Sequence, residues 1–215
     1  MENYTDYTDE QLKALSSWDL VDALKENPEL ADKCDKWEDF GSGCWSYLLS
    51  AQPQLADRCD KVNGWENFGA LDWRGLLSAQ PQFADRCDEV NGWENFNSYD
   101  WSKLLLKYPL FADRCDKVNG WEKFDSYGWS ALLFGWSMLL LEQPQFADRC
   151  DKVNGWANFD ARDWRELLSA QPQFADRCDE ANGWEKFDSD HWRCLLLMQP
   201  QFADRKKKCE MERGD

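Results

Sequence analysis

Residues 143–156 read QPQFADRCDKVNGW, and close variants stand at 52–65, 80–93, 108–121 and 171–184. Cys59, Cys87 and Cys115 follow one another at 28 residues, as do Cys150 and Cys178, while the steps Cys34 to Cys59 and Cys115 to Cys150 are 25 and 35. A fixed period of this length marks a repeat architecture rather than one or two globular domains. A 28-residue unit is too small to cover its own apolar face, so successive units have to stack.

The unit from Asp160 to Phe187 shows how one repeat folds. Asp160 stands four residues before Trp164, where the other repeats carry Gly41, Gly69, Asn97, Asp125 and Asp188, all residue types favoured at a helix N-cap. Trp164, Leu167 and Leu168 fall at i, i+3 and i+4 on one helical face. Gln171 precedes Pro172, and a residue before proline is pushed out of the α region, so the first helix ends there. Proline then opens a second helix. In the neighbouring repeat Phe146, Ala147, Cys150 and Val153 form its apolar stripe, and Asn154-Gly155 supplies a left-handed closure. Trp156 and Phe159 make a short aromatic turn that plugs the space between successive helix pairs. The spacing therefore predicts two helices of roughly ten residues and one turn per repeat.

The irregular steps fit the same scheme. A seven-residue insertion gives WSALLFG followed by WSMLLLE, with Trp136 in the place of the usual single Trp, and predicts one lengthened helix over 129–141. Seven residues are close to two helical turns, which preserves the apolar face. The three residues missing after Cys34 correspond to Val-Asn-Gly, so the first repeat has to close its second helix differently. Thr8 and Gln11 form a capping box before an extra helix, and Lys206 takes the array cysteine's place in FADRKKKCE, where the core stops. The expected fold is all-α: an α-solenoid with an N-terminal cap at 1–17, about seven repeats over 18–205, and a charged C-terminal tail at 206–215.

Composition narrows function. With 25 Lys plus Arg against 41 Asp plus Glu, the net charge of −16 disfavours direct nucleic-acid binding and anionic membranes and favours a protein partner with a basic surface. The polar, acidic opening MENYTDYTDEQ has no leader pattern, and the longest apolar run, 131–141, is too short to span a bilayer of about 30 Å. A soluble cytoplasmic protein is the expectation.

The nine cysteines include no CxxC pair, and the one histidine, His191, stands where other repeats carry Cys44, Asp72, Asp100, Gly128 or Asp163. No metal or other cofactor is expected. Equivalent cysteines on helices about 8–10 Å apart are too far for disulfides, so they read as buried thiols, with Cys209 the most reactive. Asp57 and Asp148 are placed to pair with Lys61 and Lys152 at i, i+4. No nucleophile, base and orienting group recur together, so an enzyme is not expected.

The pattern Trp-x-x-Leu-Leu with Gln-Pro-x-Phe-Ala-Asp-x-Cys-Asp, carried from about residue 18 to 205, resembles tandem arrays in uncharacterised bacterial proteins. That resemblance implies a repeat fold and no particular activity. The expectation is a non-catalytic protein-protein interaction module. The alternative is an acidic nucleic-acid-mimicking inhibitor of phage or anti-defence type, which needs Asp60, Asp88, Asp116, Asp151 and Asp179 to line one ridge. Phe134 and Met138, unique to the lengthened repeat, are the further candidate contact residues.

Overall fold

A computed structural model describes residues 7–124 and 136–213. Every regular element among them is helical, and the fold is an all-α solenoid of stacked two-helix repeats. The chain divides into two compact bodies, Met1–Phe96 and Asn97–Asp215, which hold repeats one to three and four to seven.

In the N-terminal body α1 (Asp9–Ala14) precedes the first repeat's α2 (Ser17–Glu26). The second and third repeats are α3 (Ser42–Ala51) with α4 (Ala56–Lys61), and α5 (Ala70–Ala79) with α6 (Ala84–Glu89). The C-terminal body runs through α7 (Ser98–Lys107), α8 (Ala112–Lys117), α9 (Trp136–Glu142), α10 (Ala147–Lys152), α11 (Ala161–Ala170), α12 (Ala175–Glu180), α13 (Ser189–Met198) and α14 (Ala203–Arg213). The 129–141 helix expectation falls partly on 129–135, outside the described residues; from Trp136 the chain is helical, and Trp136 is buried in the core position.

The first helix of a repeat begins with a reciprocal cap. Asp160 accepts from the Asp163 backbone N–H at 2.8 Å, and Asp163 accepts from the Asp160 N–H at 3.1 Å. Where glycine occupies the cap, only half of this survives: the Gly69 N–H donates to Asp72 at 3.0 Å. Trp164, Leu167 and Leu168 are fully buried on the inward face.

The second helix is tighter at its start than the sequence predicts. Pro172–Phe174 forms a 3-10 turn and only Ala175–Glu180 is α-helical. The cause is local: Gln171 sits at φ −128°, and the Phe174 N–H reaches back three residues to its carbonyl at 3.2 Å. In the first repeat the second helix reduces to the 3-10 turn Pro28–Asp32, followed directly by Trp37–Asp39, in keeping with its missing closure residues.

Asparagine, and not glycine, takes the left-handed conformation at each closure: Asn63, Asn91, Asn119, Asn154 and Asn182 lie at φ 50° to 53°. Asparagine tolerates that region better than most residues. The following glycine answers a steric demand. A Cβ on Gly183 would stand 2.6 Å from both the Cys178 Sγ and the Trp164 Nε1, and Gly64 and Gly155 meet the same pair in their own repeats. The cysteine is thus the small residue that leaves room for the turn to close against the tryptophan.

The turn tryptophan then reaches into the next repeat. Trp65 stacks on Trp73, Trp121 on Trp136, Trp156 on Trp164 and Trp184 on Trp192, with ring centroids 5.2–5.6 Å apart and planes within 18°. Such pairs contribute about 0.5–1.5 kcal/mol beyond their buried area.

Helices stand at both ends of the described residues. The capping box of Thr8 and Gln11 opens α1. Residues 206–213, expected as a tail, continue α14 as helix, which has no fully buried residue. Its Arg213 donates to the carbonyls of Trp184, Glu185 and Phe187, tying the helix to the last aromatic turn.

Replacing Gly183 by alanine should lower stability by about 1–3 kcal/mol through overpacking. Gly75→Ala should instead raise it by about 0.5–1 kcal/mol, because that exposed helical position has only the Ser46 Oγ at 3.5 Å. Urea denaturation of both variants checks the pair, and equal effects would contradict the packing described.

Candidate functional site

Two kinds of polar residue recur in the repeats, and the structure engages both in hydrogen bonds within the array. Where a Gln precedes the proline, it donates its carboxamide to a carbonyl near the end of the preceding repeat's first helix: Gln52 to Lys25, Gln80 to Ser50, Gln171 to Leu141 and Gln199 to Ser169 at 2.6–2.9 Å, and Gln143 to Leu106 at 3.2 Å. The second Gln of the Gln-Pro-Gln phrase holds the first in that orientation, as Gln173 does by donating to Gln171 at 2.7 Å.

The aspartate after each array cysteine is engaged as well. Asp60, Asp88, Asp116, Asp151 and Asp179 each accept from the indole N–H of their own repeat's turn tryptophan at 2.5–2.6 Å. An arginine of the following repeat completes the clamp: Arg86 on Asp60, Arg149 on Asp116, Arg177 on Asp151 and Arg205 on Asp179. Arg205 also lies over the Trp184 ring, 5.6 Å from its centroid. Burial pushes the Asp151 carboxyl up, but the bonds from Arg177 and Trp156 outweigh it and hold the group below the usual carboxylate range. Of these five residues, predicted as a partner-binding ridge, Asp60, Asp116, Asp151 and Asp179 therefore join neighbouring repeats to one another, and Asp88 holds its own repeat's turn tryptophan.

The within-helix pairs Asp57–Lys61 and Asp148–Lys152 do not form; the arginine between them bridges to the previous repeat instead, Arg58 to Asp32 at 3.0 Å and Arg149 to Asp116 at 3.2 Å. A guanidinium reaches further than one turn and bonds in two directions, so the carboxylate across the boundary is the better partner. The sequence carried a signal for this clamp: Asp-Arg-Cys-Asp is always followed by Trp five residues after the second Asp.

Cys59, Cys87, Cys115, Cys150 and Cys178 are fully buried and form no disulfide. Burial, with the adjacent aspartate adding to it, raises four of them, Cys59, Cys115, Cys150 and Cys178, far above an ordinary thiol. Cys209, expected to be the most reactive, is half-buried and raised by that burial, whereas Cys194 on α13 is exposed. Asp188 caps α13 by accepting from the Asp190 and His191 backbone N–H groups, and the His191 Nδ1 lies 2.6 Å from the same Asp188 oxygen. Among the described residues no three His, Cys, Asp or Glu side chains converge as metal ligands, and no helix is long and apolar enough to cross a membrane.

Variation between repeats concentrates on the outward side of the first helices. Two residues before the core position, successive repeats carry Trp18, Gly43, Leu71, Tyr99, Arg162 and Asp190, omitting the fifth. Trp18, Leu71 and Tyr99 are large hydrophobics in contact with solvent, as are Tyr47 on α3 and Leu197 and Met198 on α13. Met138 is half-buried on α9, and Phe134 lies outside the described residues. Charge is uneven too. The N-terminal body holds twenty acidic and eight basic residues, −12 of the total −16. The chain matches no known protein family, no curated protein and no solved structure.

Asp151→Ala should cost about 1 kcal/mol, and a double-mutant cycle with Arg177→Ala should give a coupling of about 0.5–1 kcal/mol at neutral pH. Because the folded-state carboxyl lies below its unfolded value, this coupling is present above pH ~4 and fades as pH falls through the folded value. Zero coupling at neutral pH would contradict the clamp. Thiol titration of the native protein should label Cys194 first and the five core cysteines only on unfolding, with mass spectrometry reading the order.

Proposed function

We propose that this protein is a non-catalytic, acidic repeat scaffold that binds another protein with a basic surface. The observation that carries the reading is the division of labour within each repeat. The constant residues are spent on the interior and on the clamps between repeats, while the residues that change are solvent-facing positions of the first helices. Stacked arrays of this kind present an extended surface on a rigid frame, and an exposed aromatic on such a frame is a candidate anchor for a partner.

The alternative, an acidic mimic of nucleic acid, finds less support in the geometry. Its ridge of aspartates is bonded to tryptophan and arginine, and three quarters of the net charge belongs to residues 1–96. A cytoplasmic setting suits the free thiols, since a reducing compartment keeps cysteines unpaired.

The deciding experiment is affinity capture from the native host's lysate with and without competing DNA, followed by rebinding of the purified partner. The expected result is a protein that stays bound in the presence of DNA. Release of the captured protein by DNA would replace this reading with the mimic.

A further inference from the structure

We infer that the Trp18–Tyr47 face of the N-terminal body is a docking surface for a lysine- or arginine-bearing amphipathic segment of the partner. This rests on the interaction-scaffold reading and specifies its site.

The face is contiguous across three neighbouring first helices. Trp18 on α2 is 55% exposed and Tyr47 on α3 is 46% exposed, with their ring centroids 6.1 Å apart. Gly43 lies beneath the indole: a Cβ built there would stand 3.6 Å from the Trp18 ring and 3.9 Å from the Asp72 carboxylate. A single glycine therefore joins the aromatic pair to the acidic start of α5, and Leu71, 67% exposed, occupies the position on α5 that Trp18 holds on α2. Monomeric proteins seldom leave two adjacent aromatic rings and a leucine open to water without use.

Charge selects the occupant. Asp22 stands one turn after Trp18 on the same side of α2, with Glu26 one turn beyond, and both are exposed. The body around them carries a formal charge of −12. That field repels a second copy of the same body, an anionic lipid surface and a nucleic acid, and it attracts a cationic segment. The face also displays the chemistry such a segment would use. The Lys25 ammonium lies over the Tyr47 ring, 3.4 Å from its centroid, so one aromatic here already holds a cation. Trp18 offers the richer π-face, with Asp22 beside it to complete the contact. A helix with apolar residues at i, i+3, i+4 and i+7 and basic residues flanking them meets both requirements.

The test uses the full chain and a labelled synthetic peptide of about 18 residues, with leucine along one helical face and lysine on the other. A second peptide carries glutamate in place of every lysine. Fluorescence anisotropy should show binding of the lysine peptide and none of the glutamate peptide. Trp18→Ala with Tyr47→Ala should weaken binding about tenfold or more. Asp22→Asn with Glu26→Gln should flatten its dependence on salt, and Leu197→Ala with Met198→Ala, on α13, should leave it unchanged. All the altered residues are exposed, and circular dichroism checks that each variant folds.

Equal binding of the lysine peptide by the wild-type chain and the Trp18/Tyr47 variant would overturn the proposal, as would no binding by the wild type. So would concentration-dependent self-association that the same variant abolishes, which would assign the face to a second copy. Affinity capture with the Trp18/Tyr47 variant as bait separates this inference from the reading beneath it. A partner still captured by that bait removes this face and leaves the scaffold standing, whereas a wild-type bait that captures nothing removes the scaffold reading whatever the peptide does.

Discussion

The close approach of a glycine backbone to an indole and a thiol organises this protein. At the closures of repeats two to six the chain turns at a left-handed asparagine and lays the next residue against Trp Nε1 and Cys Sγ, with no space for a Cβ. This contact brings the following tryptophan out over the next repeat, where it stacks on that repeat's core indole. One local constraint therefore sets both the inside of a repeat and its junction with the next. It also explains why cysteine recurs without disulfides or metal ligation: the position needs a small, apolar, polarisable side chain.

Around this apolar seam runs a polar one. Each Gln-Pro glutamine spans to the preceding repeat's helix end, and Asp60, Asp116, Asp151 and Asp179 each hold their own repeat's tryptophan and the next repeat's arginine. Each bond is worth little alone, about 0.5–1.5 kcal/mol. Recurring at junction after junction, they fix the register of stacking, since a slipped repeat would leave a glutamine facing no carbonyl and an aspartate facing no guanidinium. The recurring polar phrase is thus structural, and the positions that the repeat leaves unconstrained lie on the outward side of the first helices.

Much of this could be read from the residues alone. The Trp-x-x-Leu-Leu triplet placed the first helices and their buried faces, and Gln-Pro marked where they stop. The capping box at Thr8 and the abbreviated closure after Cys34 were likewise legible, because both are local features of backbone chemistry. The second helix was overestimated because proline permitted either a 3-10 or an α start, and the backbone angle of the preceding glutamine favoured the tighter one. The charge of the segment after Lys206 was legible, but its helical form was not, because lysine suits an exposed helix as well as a coil and Arg213 anchors the helix from its far end.

Periodicity, caps and breakers act over a few residues along one chain, which is why the all-α repeat fold and its unit length follow from the sequence. The partners of Asp60, Asp88, Asp116, Asp151 and Asp179 do not follow from it, nor does the exposure of Trp18, Tyr47 and Cys194. An aspartate on a helix has the same local signature whether it faces water, a lysine one turn away or an arginine about 26 residues on; stacking alone brings that arginine within 2.8 Å. Likewise an aromatic residue counts toward the core until the packed helices show which side of the stripe it occupies.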